Sequence, residues 1–260
     1  MAKKFYVVWQ GREPGIYTDW NSCKKQVDKF AGARYKSFPT QAEAQQAFKG
    51  KGSSSSALKS TASKSTTVKK KVSANGIKTY TAEEIAKMPI DVKIYTDGGC
   101  DPNPGKAGSG MAVYRNDAVS ELWYGLYNPV GTNNTAELNA LYQALMMAKT
   151  ESEQGKSVAI FCDSKYSIQC VTQWAVGWEK KGWKKAGGEI KNLDLIKPMF
   201  ELYQALKNKI QVLHVNGHVG VEGNELADRM SILAIESKET DFACYQEKID
   251  VPYILSLRAG

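Results

Sequence analysis

The chain has 260 residues, 42% hydrophobic and 10% aromatic, which is enough apolar material for a sizeable core and excludes wholesale disorder. Its 35 Lys and Arg outnumber 27 Asp and Glu, for a formal charge of +8, and no apolar run approaches the roughly 20 residues that span a bilayer. The five cysteines (Cys23, Cys100, Cys162, Cys170, Cys244) form no C-x-x-C pair, which rules out a zinc ribbon; with no apolar leader at the start, a cytoplasmic protein with reduced thiols and no membrane contact is expected.

Lys4–Gln10 reads as a strand, Gly11 to Gly15 as a turn and Ile16–Thr18 as a second strand. A helix is expected from Asn21 or Ser22 to about Phe30, a third strand over Tyr35–Phe38, and a helix from the capping box Thr40-x-x-Glu43 to Phe48. The order is ββαβα. Residues 1–50 carry 9 basic and 4 acidic side chains. Residues 51–90 hold 8 basic and 2 acidic ones, and open in a Ser, Thr, Ala and Lys run that cannot bury enough apolar area to offset its ordering entropy. That stretch is expected to be a flexible basic linker, with Thr81-Ala-Glu-Glu84 able to cap a short helix ahead of Pro89.

Residues 91–236 reverse the balance, with 15 basic and 17 acidic side chains. A basic front thus joins an acidic back, the pattern of a polyanion-binding arm attached to something that collects carboxylates. Ile94-Tyr-Thr-Asp97-Gly-Gly is a strand carrying an acid, and with Ala107–Arg115 and Val119–Tyr127 it makes an antiparallel meander. Asp97 either caps a turn or serves a site. Glu137 lies beside the apolar stripe Leu138, Leu141, Leu145 of a helix, either as a capping partner of Asn134 or as a ligand. Asp163 ends the buried strand Val158–Cys162 and can also cap the helix after it; ligands gather beyond the carboxyl ends of parallel strands. His218 and Asn224 lie on a Gly-rich loop that leads into a helix carrying Asp228. His214, within the strand Ile210–Val215, reads as structural. Residues 237–260 form an extension without an assignable role, in which Tyr253-Ile-Leu-Ser-Leu is apolar enough to dock.

Two resemblances join these pieces. Phe5-Tyr6-Val-Val, Gly11-Arg12, Trp20-Asn21-x-Cys23 and Ala33-Arg34-Tyr35-Lys36-x-Phe38 resemble the hybrid-binding domain at the N-terminus of many type I ribonucleases H. Thr-Asp97-Gly, Thr-Asn-Asn-x-x-Glu137-Leu, Asp163-Ser164 and Gly217-His218-x-Gly, in that order and spacing, resemble the ribonuclease H fold. The resemblance implies an α/β protein: a mixed five-stranded sheet flanked by helices, preceded by the small domain and the linker.

It also implies an endonuclease that hydrolyses the RNA strand of RNA/DNA hybrids and leaves 3′-hydroxyl and 5′-phosphate ends, with roles in removing R-loops and replication primers. The four acids Asp97, Glu137, Asp163 and Asp228 would hold two Mg²⁺ ions, with Mn²⁺ as a substitute, and His218 would move a proton. Hard cations need oxygen donors, and a cation pair can both activate water and support the leaving oxygen. Asn103, Asn133, Asn134, Lys165 and Asn224 would meet the duplex, as would Trp183, Lys184 and Lys185 in a basic protrusion. In the small domain Trp20 and Tyr35 would stack on deoxyriboses while Tyr6 and Lys36 hold phosphates. The expected partner is the hybrid duplex, bound by a monomer.

Overall fold

The structure, a computed structural model, describes residues 5–28, 30, 34–38, 40, 41, 44, 45, 48, 77–185, 187–217 and 220–260. It divides into two units, one before and one after the Lys71–Val72 junction. Among the described residues no helix is long and apolar enough to cross a membrane.

In the first unit, β1 (Phe5–Gln10) is the central strand, paired antiparallel with β2 (Gly15–Tyr17) and β3 (Arg34–Phe38). Helix α1 (Trp20–Val27) starts one residue before the expected Asn21, because Asp19 accepts the Ser22 amide and caps it there. Val8 of β1 buries against Cys23 and Val27 of α1. The helix expected from Thr40 to Phe48 falls largely on residues outside those described, Glu43 among them.

The second unit is built on a mixed sheet. β5 (Val92–Asp101), β6 (Gly105–Arg115) and β7 (Ala118–Gly131) form the antiparallel meander. β8 (Val158–Cys162) and β9 (Ile210–Val215) continue from β5 in parallel. These are the five expected strands. Two short strands extend them: β4 (Thr79–Tyr80) pairs parallel with β9, and β10 (Phe242–Cys244) pairs antiparallel with β7. The order across the sheet is β10-β7-β6-β5-β8-β9-β4.

Alternation along the strands sends successive side chains into two cores. Ile94, Met111, Val113 and Ile160 face α3 (Asn133–Glu153) and α6 (Leu193–Leu206). Tyr95, Ala112, Tyr114 and Phe161 face the other way, toward α2 (Ala82–Ala86), α7 (Glu222–Ser237) and α8 (Val251–Ser256). Between β8 and α6 the chain forms α4 (Lys165–Gln169), a π-helical turn over Cys170–Trp174, and α5 (Ala175–Lys180).

Residues 77–90, grouped with the linker on composition, pack onto this unit. Thr81 and Glu84 form the expected capping box, and α2 buries Ile85. Ile85, Met88 and Ile90 supply the apolar anchors that the Ser/Lys run lacks. Residues 51–76, the rest of the expected linker, lie outside the described residues. The 237–260 extension is also structured: Phe242 stacks on Trp123 with ring centroids 5.9 Å apart, and α8 buries Ile254.

Candidate active site

Glycines let two helices approach the strand that carries the first acid. A Cβ at Gly98 would sit 2.2 Å from the Glu137 amide nitrogen, so only a bare backbone lets the first turns of α3 rest on β5. A Cβ at Gly110, the β6 residue paired with Asp97, would lie 2.1 Å from the Ala227 carbonyl of α7. Glu137 and Asp228 are thereby brought to Asp97 from separate helices. Asp163 arrives along β8, whose Cys162 is in register with Thr96. All four acids line one cleft of about 540 Å³ with Gly98, Asn133 and Gly260.

Asp97, Glu137 and Asp228 are buried, and Asp163 is half-buried. Burial, then the charges of Asp163 and Asp228, pushes the Asp97 carboxyl well above the ordinary carboxylate range. Burial, then Asp97 and Asp163, does the same to Glu137. Asp97 and Glu137 thus bind their protons more tightly than exposed carboxylates do, because ionising either would add charge to a buried cluster of like charges. The Cys162 thiol lies among ligand atoms of Glu137 and Asp163 that are within 4.8 Å of one another. Burial and those two acids push its pKa up, so the thiol keeps its proton.

The donor set fits a hard divalent cation. It consists of carboxylate oxygens, and the protonated thiol adds no soft ligand. Glu137 Oε2 is buried with no hydrogen-bond partner among the described residues, a costly position for a carboxylate oxygen that a cation would relieve.

The neighbours of Asp163 hold it from behind. The His214 Nε2–H donates to the Asp163 carbonyl at 3.0 Å, and its Nδ1 accepts from the Thr79 hydroxyl at 2.8 Å. Burial lowers the His214 pKa, which favours the neutral ring that this pair of bonds requires. A Cβ at Gly217 would lie 2.4 Å from Asp163 Oδ2. Asn224, expected to meet the duplex, is instead 1% exposed and donates to Asp163 Oδ2 at 3.5 Å, because the first turn of α7 tucks it beneath the acid. His218 lies outside the described residues.

The capping explanations of the acids do not hold. Thr132 caps α3, accepting from the Thr135 amide, which removes the reading of Asn134 as cap with Glu137 as its partner. Ser164, not Asp163, caps α4. At the cleft mouth Asn103 is exposed and accepts the Asn133 amide at 3.3 Å, while Asn134 and Lys165 are exposed.

In the basic segment Lys184 and Lys185 are exposed. Trp183, expected at the duplex, turns inward: its ring meets Phe200 edge-on at 5.8 Å, and Lys197 Nζ sits 5.7 Å from its centroid. The chain reverses through Gly182 and Trp183, both at positive φ, and this aims the indole at the core.

In the first unit Tyr6, Trp20 and Tyr35 form a ladder with centroids 5.5 and 5.8 Å apart, and Trp20 and Tyr35 are 41% and 46% exposed. Along β3 the faces alternate, so Ser37, opposite Tyr6, shares the ladder's face. Lys36 is exposed on the other face, with its ammonium 5.9 Å from the Phe38 ring.

Sequence reasoning passed over the glycines that set the approach of α3 and α7, although a glycine beside an acid within a strand signals such an approach. It also passed over Arg229 and Gly260, which hydrogen-bond Asp228 and carry no mark in the sequence.

The family model described as RNase H matches residues 89–236, and that of the ribonuclease H1 N-terminal domain matches residues 4–48. Ribonuclease H1 of Homo sapiens is 33% identical over 258 residues, covering 87% of each chain. Ribonuclease H of Methylorubrum extorquens (strain PA1) is 37% identical over 145 residues, which are 56% of this chain and 60% of that one. A foamy viral protease-reverse transcriptase, solved in complex with RNA/DNA hybrid, superposes with a TM-score of 0.51 at 21% identity, over 66% of this chain and 23% of that one, and shares the fold.

Proposed function

The chain belongs to the ribonuclease H family, in the form that carries a ribonuclease H1 N-terminal domain, and from that premise we propose that it cuts the RNA strand of RNA/DNA hybrids. The observation that carries the reading is the convergence of Asp97, Glu137, Asp163 and Asp228, from two strands and two helices, on one cleft. Two divalent cations held by these acids, Mg²⁺ or Mn²⁺ in its place, would supply an activated water and neutralise charge on the scissile phosphate and the leaving 3′ oxygen.

The chain's own residues prepare that site. Asp97, whose carboxyl feels the charges of Asp163 and Asp228 and in turn raises that of Glu137, would be held with them as a cation ligand, and positive charge there would lower the pKa values that burial has raised. Asn224 and the His214–Thr79 pair hold Asp163 in place so that the cluster need not reorganise when loaded. His218, which precedes α7 in the sequence, is the proton carrier in this reading. Cleavage leaves a 3′-hydroxyl and a 5′-phosphate, and removal of R-loops and primers is the use to which that substrate points.

Asn133 lines the cleft and its amide is held by Asn103; with the exposed Asn134 next to it, these side chains would meet 2′-hydroxyls and minor-groove edges. Lys165, Lys184 and Lys185 face solvent and suit phosphates, which position a duplex without reading its sequence. In the first unit the exposed Trp20–Tyr35 ladder with Tyr6 would offer a stacking platform, and Lys36, on the other face of β3, would meet a phosphate only away from that platform.

The test is incubation of wild type and Asp97→Asn with RNA/DNA hybrid, double-stranded RNA and double-stranded DNA in Mg²⁺. Wild type should cut only the RNA of the hybrid. Asp97→Asn should cut at least a thousandfold more slowly while still binding hybrid. Equal cleavage of double-stranded RNA would overturn the substrate assignment.

A further inference from the structure

Both carboxylate oxygens of Asp228 are already engaged by the chain itself. The Gly260 amide donates to Oδ1 at 3.2 Å and to Oδ2 at 3.1 Å. The Arg229 guanidinium donates to Oδ2 through Nη1. The other guanidinium nitrogens hold the backbone that delivers Gly260: Nε bonds the Leu257 carbonyl at 3.0 Å, and Nη2 the Leu255 carbonyl at 3.3 Å. Upstream, α8 is anchored by Ile254 in the core and capped by Asp250. Downstream, Arg258 reaches across the cleft mouth to Asp101 at 3.4 Å, an exposed pair that adds little. Gly260 itself lines the cleft with the four acids.

We infer that residues 257–260 are a latch that competes with the cation for Asp228. The inference rests on the reading of Asp228 as a cation ligand. A carboxylate presents about four acceptor positions. Arg229 takes a position on Oδ2 and the bifurcated Gly260 amide one on each oxygen, and Gly260 lines the same cleft as the acid. A magnesium ion needs an oxygen at about 2.1 Å with open space in front of it. The Gly260 backbone fills that space: a Cβ added there would lie 2.5 Å from Asp228 Oδ1. Loading therefore requires Gly260 to lift while α8 and the Arg229 bonds stay in place, and the chain hinges just beyond Leu257. The segment satisfies Asp228 without a cation, at the expense of cation affinity.

The experiment compares the full chain with one ending at Leu257 and with Gly260→Pro, which has no amide hydrogen to donate. Mn²⁺ binding is followed by electron paramagnetic resonance and Mg²⁺ binding by calorimetry, both without nucleic acid. Hydrogen exchange at residues 256–260 is followed with and without Mg²⁺. The shortened chain and Gly260→Pro should each bind cation about tenfold more tightly, the factor of one charge-assisted hydrogen bond. In the full chain, Mg²⁺ should speed exchange at Gly260. Unchanged or weaker cation affinity in both variants, with melting temperature intact, overturns the latch and leaves the site reading standing. Asp97→Asn that binds Mn²⁺ as wild type does overturns the site reading, and the latch with it.

Discussion

Glu151, on the helix that carries Glu137 but near its other end, shows how a single buried charge is kept away from the cleft. It lies on α3 and accepts Arg115 Nε at 3.0 Å, Arg115 Nη2 at 2.6 Å and Lys156 Nζ at 2.6 Å. Burial acts to raise its pKa, but the hydrogen bonds from Lys156 and Arg115 outweigh that and hold it below the ordinary value. A lowered folded-state pKa means that the stabilisation is present above the unfolded value of about 4.3 and is lost as pH falls through the folded one. Glu151→Gln should therefore cost about 1–3 kcal/mol at pH 7. Urea melts of both proteins should show the difference shrinking as pH falls through the lowered pKa. At this scale Asp97, Glu137 and Asp163 each had a capping explanation, and the sequence singled out the four acids that share a cleft only through the order and spacing they have in common with the ribonuclease H fold. It did not reveal side-chain direction: Trp183 and Asn224 turn inward through a positive-φ reversal and a tucked helix turn, which no periodicity encodes.

The elements converge because β5 and β6 lack side chains where α3 and α7 land. Gly98→Ala would drive a methyl into the Glu137 backbone, which cannot rotate away as a flexible side chain would. The variant should lose about 1–3 kcal/mol of stability or more, as overpacked sites do. It should also lose cation affinity, because α3 must recede and carry Glu137 with it; urea melts together with Mn²⁺ titration check both. The five main strands were legible from alternation and apolar runs and α3 from its apolar stripe, but α6 was not read from the sequence. β4 and β10 were not, since two or three residues cannot display a period, and their pairing is set by edges the rest of the sheet leaves open.

For the molecule as a whole, the aromatic platform and the carboxylate cleft belong to separate units, and composition alone separated the basic front from the acidic back. Removing residues 1–50 should weaken hybrid binding at least tenfold and flatten its salt dependence, because 9 basic side chains leave with them. Turnover at saturating hybrid should persist. Fluorescence anisotropy at two salt concentrations and initial rates on the shortened protein measure both; a folded but inactive product would sink the division of labour. The boundary was less legible. Polar composition pointed to residues 51–90, but the last part of that stretch carries the hydroxyl and the apolar anchors that the second unit uses.

The placement of Thr79–Tyr80 on β9 bears on how this protein can be trimmed. A nuclease fragment begun at residue 91 would leave one rim of its sheet with bare amides and carbonyls, an adhesive border inviting chain-to-chain pairing and clumping. It would also strip a hydroxyl from the imidazole that steadies Asp163, so a cut that looks harmless by composition would impair solubility and turnover together.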